Sequence, residues 1–261
     1  MSRFLLLVAC CLPAAVGAQQ IVTLKTREGV TQSFFIPDMA GRPPEAAALL
    51  FIGGGGGIRL RMEDGKPRFG AQNFLPRSRG DFIRNGIVPV IMDNPSDQQS
   101  ASGMSEQFRE SAAHVTDVRA AVAEMKRRLP GLPVFLVGTS MSTISVAHLG
   151  RTLGAEVAGI VLSSSMFYAG RRSMLAVYDF AEIKTPLLFV HHRADTCEFT
   201  PYRPAERLAA EYPLISVTGG KPPESGPCDP FAAHGFFGKE PETVDAIAGW
   251  MLHKPYRKEI D

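Results

Sequence analysis

The sequence predicts an α/β fold in which a mainly parallel central sheet is flanked by helices. Short apolar runs without polar alternation recur along the chain, which is typical of strands buried on both faces of a parallel sheet. Segments with apolar residues at every third or fourth position lie between these runs and predict helices. The chain has 261 residues, of which 45% are hydrophobic and 21% charged. That size and balance fit one alternating α/β unit and exclude a disordered or collagen-like polymer.

The N-terminal residues have the pattern of a secretory signal peptide. Arg3 gives a basic start, an apolar run follows over residues 4–16, and the small residues Val16 and Ala18 stand at the −3 and −1 positions of a cleavage site. The run is shorter than the roughly 20 apolar residues that a stable membrane span requires. We therefore expect residues 1–18 to be removed by cleavage near Ala18.

Removal of this leader implies that the rest of the chain is exported. Residues 19–261 are expected to form a single domain in the periplasm or outside the cell. A lipoprotein box ending at Cys10 is the weaker alternative, because it would leave a very short apolar run. The mature chain keeps Cys197 and Cys228, which in an oxidising compartment predict one disulfide. Two buried free thiols are the alternative.

The elements follow in order along the mature chain. Residues 20–37 predict an N-terminal antiparallel hairpin. Apolar runs then predict strands of the parallel sheet at residues 46–52, 86–92, 132–137, 158–162, 186–190 and 214–217. The helix-period segments are residues 104–129, 141–153, 204–211 and 241–252. Only residues 163–185 separate two of the strands at the point where a large cap domain would be inserted, so none is expected.

A serine stands on the turn between a predicted strand and a predicted helix. Residues 132–137 lead into Gly138-Thr139-Ser140-Met141-Ser142, and the helix-period segment begins there. This arrangement is typical of a nucleophile elbow, whose tight turn exposes the serine hydroxyl and requires small residues on either side. Ser142 stands where a second glycine is usual, and serine is small enough for that place. We predict that Ser140 is a nucleophile.

A serine nucleophile needs an imidazole base and a carboxylate that orients the imidazole. Asp195 follows the run that ends at residue 190, and His234 lies before the last predicted helix. We predict Asp195 as the acid and His234 as the base. Asp93 and Asp229 are the alternative carboxylates. Other histidines lie in predicted helices or near the chain end, at His114, His148 and His253.

Five consecutive glycines, residues 53–57, follow the first apolar run of the sheet. The N–H groups of such a loop can bind the negative oxygen of a tetrahedral intermediate, together with the N–H of the residue after the nucleophile. We therefore predict an oxyanion hole formed by Met141, Gly54 and Gly55. A phosphate or dinucleotide loop is the alternative, but neither the P-loop lysine nor a dinucleotide fingerprint accompanies these glycines.

The cluster of His191, His192, Asp195 and Cys197 could be mistaken for a zinc site. Successive residues of a strand point to opposite faces, so the adjacent histidines cannot easily share one ion. We expect no metal and no organic cofactor, and we interpret His192 as a group at the rim of the pocket.

Charge along the chain is nearly balanced, at 28 Lys and Arg against 26 Asp and Glu. A nucleic-acid partner is therefore not expected, because such binders carry bulk or clustered positive charge. Residues 58–80 are rich in arginine and are interpreted as a solvated excursion. The alternative is that they attract an acidic substrate or envelope polymer.

With Ser140, Asp195 and His234 in this chain order, the sequence resembles the α/β-hydrolase superfamily, in particular its compact dienelactone-hydrolase-like and small esterase members. The resemblance covers essentially all of residues 19–261. It implies the α/β-hydrolase fold and hydrolysis of a small-molecule or polymer-derived carboxylic ester through an acyl-serine intermediate, without a cofactor. A peptidase or thioesterase could use the same residues, and an idle fold that binds a ligand or envelope partner is a further alternative.

The two mature cysteines flank the predicted acid and base. Cys197 lies two residues after Asp195, and Cys228 lies six residues before His234. A bridge between them would tie together the loops that carry these two residues. We hypothesise that the disulfide pre-organises the pair, the alternative being that it only staples the loops.

Overall fold

The computed structural model of the chain describes residues 19–70 and 72–261, so the predicted signal peptide lies outside the described residues. Its strands are β1 (Gln20–Arg27), β2 (Val30–Ile36), β3 (Ala46–Phe51), β4 (Arg61–Glu63), β5 (Lys66–Arg68), β6 (Ile87–Met92), β7 (Val134–Thr139), β8 (Gly159–Ser163), β9 (Tyr168–Ala169), β10 (Arg172–Ser173), β11 (Leu187–His192), β12 (Leu214–Val217) and β13 (Glu259–Ile260). The α-helices are α1 (Phe74–Arg77), α2 (Arg79–Arg84), α3 (Glu106–Arg109), α4 (Ala112–Arg128), α5 (Ser142–Leu153), α6 (Tyr202–Leu208) and α7 (Glu240–Met251).

The main sheet has the strand order β1-β2-β6-β3-β7-β8-β11-β12-β13. The β1–β2 and β2–β6 pairs are antiparallel, and the pairs from β6 to β13 are parallel. The predicted fold class, a mainly parallel sheet with an N-terminal antiparallel hairpin, is therefore confirmed. The sequence pattern missed β13, because a two-residue strand is too short to show a period.

Helices cover both faces of the sheet, which explains why its strands are apolar without alternation. Strands β3, β6, β7 and β11 are buried along their whole length. On one face Val118 and Val122 of α4 and Leu149 of α5 pack into the core. On the other face Phe82 of α2 and Ile247 of α7 do so. Each face contributes its own apolar cluster.

The helix predicted over residues 104–129 is interrupted. Helix α3 ends at Arg109, and α4 begins after Ser111, whose hydroxyl accepts a hydrogen bond from the backbone N–H of His114 at 3.2 Å. A serine in this place caps a helix start, because it satisfies an N–H group that has no partner within the helix. The break places Arg109 at the end of a short helix rather than inside a long one.

The connection between β8 and β11 contains only the small β9–β10 hairpin and two short 3-10 helices, Leu175–Val177 and Phe180–Glu182. A second small hairpin, β4–β5, stands in the arginine-rich segment. Of the helices in the described part of the chain, none combines the length and apolar character needed to cross a membrane.

Candidate active site

The predicted site residues gather at the edge of the sheet where its parallel strands end. The glycine loop follows β3, Ser140 follows β7, and Asp195 follows β11. His234 lies in the 3-10 helix Ala233–Gly235, between β12 and α7. In open α/β sheets, ligand sites form at this carboxyl edge.

Ser140 occupies a tight and conformationally unusual turn. Its φ is +54°, in the left-handed region that side-chain-bearing residues seldom adopt. Its N–H donates to the Ser163 carbonyl at 3.0 Å, and the N–H and hydroxyl of Thr143 donate to its own carbonyl at 2.9 and 2.6 Å. A Cβ on Gly53 would lie 3.0 Å from the Ser140 Cβ, so the glycine loop passes against the serine. These contacts hold a partly exposed hydroxyl in place.

The small residues around the elbow have different roles. A Cβ on Gly138 would lie 2.8 Å from the carbonyl oxygen of Ser142, so glycine is required there. Ser142 itself is fully buried. Its hydroxyl donates to the Ile52 carbonyl and accepts a hydrogen bond from Arg109 Nη1 at 3.0 Å. Ser142 thus supplies polar contacts that a second glycine could not make.

Asp195 and His234 form a buried hydrogen-bonded pair. His234 Nδ1 lies 3.1 Å from Asp195 Oδ2. The other oxygen of Asp195 accepts the Cys197 N–H at 2.9 Å. The hydroxyl of Thr200 donates to Asp195 Oδ2 at 2.8 Å and lies 3.0 Å from His234 Nδ1. The carboxylate is therefore oriented by three neighbours, of which Thr200 was not anticipated from the sequence.

Three consecutive serines at the end of β8, of which the first is its last residue, connect the elbow to the histidine. Ser163 accepts the Ser140 N–H through its carbonyl, and the Ser164 hydroxyl donates to the His234 carbonyl at 2.8 Å. The Ser165 N–H donates to His191 Nε2 at 2.9 Å. Sequence reasoning missed this triplet, although a run of serines at the carboxyl end of a buried strand was a usable signal.

A cavity of about 410 Å³ opens beside Ser140. Most of its surface is apolar, and its lining is Gly54, Ser140, Met141, Met166, Ala169, Gly170, Arg172, Cys197, Phe199 and Cys228. The guanidinium of Arg172 donates to Glu106 at 2.6 Å. The cavity can therefore receive an apolar group next to the serine hydroxyl.

The structure brings two of the three predicted oxyanion residues to this cavity. Gly54 and Met141 line it together with Ser140. Gly55 lines a neighbouring polar cavity instead. Its carbonyl accepts hydrogen bonds from Asn94 Nδ2 and from the Met104 N–H, both at 2.9 Å. These two hydrogen bonds hold the glycine loop on the side away from the cavity beside Ser140.

The predicted disulfide between Cys197 and Cys228 is present, with their Cα atoms 4.7 Å apart. Cys197 is buried and Cys228 is exposed. Both line the cavity beside Ser140, so the bridge joins the loops of Asp195 and His234 and also forms part of the cavity wall.

The alternative carboxylates lie in other surroundings. Asp93 accepts the N–H groups of Ile58 and Leu60, both at 2.8 Å, and so supports the segment after the glycine loop. Asp229 lies on an exposed loop and accepts the Gly226 N–H at 3.1 Å. Asp195 is the carboxylate that the structure places next to His234.

The neighbouring histidines make separate contacts. His191 is buried, stacks on Phe167 with ring centroids 5.5 Å apart, and has its pKa lowered to about 3 because burial disfavours the imidazolium. His192 accepts the Ala194 N–H through Nδ1 at 3.1 Å, and its Nε2 lies 3.2 Å from the Gly219 carbonyl. Within the described ranges, no three His, Cys, Asp or Glu side chains are grouped so as to hold a metal ion.

The arginine-rich segment 58–80 is not uniformly solvated. The β4–β5 hairpin is exposed, as expected. Arg77 departs from that interpretation, since it donates to Glu240 at 2.8 Å and to the carbonyls of Gly235 and Pro230 at 3.0 and 3.2 Å. Arg77 thus contacts the loop that carries His234.

One family model matches the middle of the chain. The model of a family described as serine aminopeptidase, S33, matches residues 80–194, a stretch that contains the elbow at Ser140. No curated protein matches the chain.

Solved structures of similar fold cover most of the chain. An α/β serine hydrolase without lid from Xanthomonas campestris has 15% identity and a TM-score of 0.54, over 90% of this chain and 93% of that one. A serine hydrolase homologue from Coxiella burnetii has 12% identity and a TM-score of 0.57, over 91% and 98%. A cold-adapted esterase from an Arctic intertidal metagenomic library has 15% identity and a TM-score of 0.53, over 88% and 92%. The chain therefore has the fold of these α/β serine hydrolases, and its residues 80–194 match the serine aminopeptidase, S33, family model.

Proposed function

We propose that the protein is an exported esterase in which Ser140, His234 and Asp195 form a catalytic triad. The observation that carries this proposal is the buried His234–Asp195 pair, 3.1 Å between Nδ1 and Oδ2, at the same sheet edge as the elbow serine. An imidazole held in this way has Nδ1–H bonded to the carboxylate, which leaves Nε2 as a base.

The proposed reaction proceeds in two halves. His234 Nε2 takes the proton of the Ser140 hydroxyl as its oxygen attacks the ester carbonyl carbon, and the N–H groups of Met141 and Gly54 bind the resulting oxyanion. Collapse of this intermediate breaks the bond to the alcohol, which leaves with the proton from His234. Water then attacks the acyl-Ser140 ester, gives its proton to His234, and the acid is released as Ser140 regains a proton. Asp195 keeps the imidazole oriented and stabilises its charged form throughout.

The cavity favours a small or medium apolar acyl ester. Its volume of about 410 Å³ and its apolar lining suit such a group. Peptide hydrolysis is the second candidate, because the matched family is described as a serine aminopeptidase. An aminopeptidase must hold a free α-amino group, and among the described residues the cavity lining contains Arg172 but no carboxylate. Ester cleavage is therefore the better supported reaction.

Export is proposed from two observations. The pattern of residues 1–18 is that of a signal peptide. The Cys197–Cys228 disulfide fits an oxidising compartment. Sequencing of the N-terminus of protein recovered from a periplasmic fraction should find Gln19 first, and an intact Met1 would contradict this proposal.

The decisive test is covalent labelling of the serine. Mature protein is exposed to a fluorophosphonate and its intact mass is measured, with Ser140→Ala as the variant and Ser96→Ala, at an exposed serine, as the matched control. We expect a single adduct on the natural protein and on Ser96→Ala, and none on Ser140→Ala. A folded natural protein without an adduct would refute the triad and favour the ligand-binding alternative.

Substrate class is tested on the same protein. We expect hydrolysis of p-nitrophenyl esters with a preference for short or medium acyl chains, and little cleavage of aminoacyl p-nitroanilides. Faster anilide than ester cleavage would establish the peptidase instead.

A further inference from the structure

Arg109 is a fully buried arginine next to the candidate oxyanion hole. It ends the short helix α3, and its exposed fraction is 0%. Arginine side chains are seldom fully buried unless they are paired or have a specific task. Neither the elbow motif nor the proposed triad explains why a cation lies in this place.

Its guanidinium connects the two parts of the chain that supply the proposed oxyanion donors. Arg109 Nη2 donates to the Gly54 carbonyl at 2.7 Å, in the loop after β3. Arg109 Nη1 donates to the hydroxyls of Ser142 and Ser145 at 3.0 and 3.3 Å, in α5, the helix that begins after Met141. One planar group thus sets the spacing between the glycine loop and the start of that helix.

The charge of Arg109 is not neutralised by a direct ion pair. All three acceptors are neutral oxygens, and none of the carboxylates in the described ranges forms a salt bridge with it. Burial lowers the pKa of Arg109 to about 10, so the guanidinium remains protonated at neutral pH. Glu106, in the same short helix, acts on this charge only from a distance. A buried cation that has no carboxylate in direct contact is costly to folding, which argues for a task in function.

We propose that Arg109 is a positioning residue that assembles the oxyanion hole. It holds the Gly54 carbonyl and Ser142 so that the N–H groups of Gly54 and Met141 face the same oxygen, and its positive charge favours the negative charge that develops there. This inference rests on the proposed esterase function. Ser142, two residues after the nucleophile, is then the anchor for Arg109 rather than a substitute for glycine.

The proposal predicts a loss that is specific to the transition state. Oxyanion donors act on the tetrahedral intermediate more than on the bound ester, so a disturbed hole lowers kcat and leaves KM nearly unchanged. A residue that merely supports folding would instead lower the fraction of folded protein without changing kcat per folded molecule.

The experiment compares Arg109→Lys and Arg109→Ala with the natural protein and with Arg119→Ala, a control at an exposed arginine of α4. We expect kcat for p-nitrophenyl acetate to fall at least about tenfold in both Arg109 variants, with KM within about twofold. Affinity for an alkyl boronic acid, which mimics the tetrahedral state, should fall by the same factor as kcat/KM. Guanidinium chloride at millimolar concentration should restore part of the rate of Arg109→Ala, and it should not restore Ser140→Ala.

Several outcomes decide the matter. Folded Arg109 variants with unchanged kcat and unchanged boronate affinity would overturn the proposal. If these variants do not fold, Ser142→Ala decides, because it removes the hydroxyl that Arg109 Nη1 contacts. A severalfold lower kcat at unchanged KM supports the proposal, and unchanged kcat overturns it. If the natural protein takes no fluorophosphonate label, the esterase function itself fails. Labelled natural protein with unaffected variants refutes only the role of Arg109.

Discussion

A single hydroxyl, that of Thr200, contacts both members of the proposed acid–base pair. It is fully buried, donates to Asp195 Oδ2 at 2.8 Å and lies 3.0 Å from His234 Nδ1. A hydrogen bond to an ionised carboxylate in a buried place is worth more than one between neutral groups. Thr200 therefore fixes the oxygen that His234 faces.

Replacement of this hydroxyl should slow catalysis without unfolding the protein. In Thr200→Val the side chain keeps its shape, but Asp195 Oδ2 loses one donor and its orientation toward His234 loosens. We expect kcat to fall about tenfold to hundredfold, the effect of one hydrogen bond to a charged group. Steady-state kinetics with p-nitrophenyl acetate measures this. Thr200→Ser should retain most of the rate, and equal losses in both variants would show that the methyl group, not the hydroxyl, matters.

At this scale the sequence predicted the residues whose setting is local. Ser140 was visible because strand, turn and helix are contiguous, and the carboxyl-edge position of Asp195 followed from the run before it. The Ser164–His234 contact joins residues separated by 70 positions in the chain, and the Arg109–Gly54 contact joins residues separated by 55. No local pattern encodes such pairs, so the supporting contacts emerged only from the structure.

The loop that carries His234 is held by an ion pair between two elements. Arg77, at the end of α1, donates to Glu240 at the start of α7 and to the carbonyls of Pro230 and Gly235. The second oxygen of Glu240 accepts the Gly238 N–H at 2.7 Å. Both side chains are mostly buried. The pair therefore fixes the backbone on both sides of the histidine.

Loss of Arg77 should affect stability and turnover together. In Arg77→Met the carbonyls of Pro230 and Gly235 lose a charged donor, and the mostly buried Glu240 loses its partner. We therefore expect a loss of about 1–3 kcal/mol in the free energy of unfolding. A lower kcat should accompany it, because His234 is less well placed. Chemical denaturation and steady-state kinetics measure the two effects. The control is Arg84→Met, at an exposed arginine of α2, and an Arg77 variant as active and stable as this control would contradict the assignment.

The Cys197–Cys228 disulfide joins the loop of Asp195 to the loop of His234. Cys197 adjoins Asp195 through its N–H, and its partner Cys228 lies in the segment before His234. We expect reduction, or Cys228→Ser, to lower kcat at temperatures where the fold is intact, and to cost about 3 kcal/mol of stability through the freed loop. Activity and circular dichroism recorded during reduction separate the two effects. Full activity after verified reduction would leave the bridge with a stapling role only.

Element boundaries show what a sequence pattern can resolve. Strands β3, β6 and β12 lie where apolar runs predict them, because burial on both faces leaves a continuous signal. The break before α4 was missed because apolar residues keep the helical period across Ser111, and only the capping contact to the His114 N–H ends the pattern. In these strands the apolar pattern and the packed structure give matching boundaries. At Ser111 the apolar pattern continues, whereas the helix does not.

Over the whole molecule, two buried histidines make stability depend on pH. Burial lowers the pKa of His114 and of His191 from the ordinary value of 6.5 to about 3 each. The unfolded chain takes up these protons near pH 6.5, whereas the folded chain does not until the pH is much lower. The stabilising contribution of each neutral histidine is thus complete above pH 6.5 and is lost progressively as the pH falls toward 3.

Acid should therefore destabilise the fold, and the effect can be removed at a residue outside the proposed site. His114 packs near Phe51 and Phe108, and neither of its ring nitrogens has a hydrogen-bond partner among the described residues. Between pH 6.5 and 4 one such histidine lowers the free energy of unfolding by on the order of 3 kcal/mol. In His114→Leu we expect unchanged or higher stability at pH 7 and a shallower decline in acid. Urea unfolding of both proteins between pH 7 and pH 4 measures the slopes, and parallel slopes would show that His114 is already protonated in the folded state.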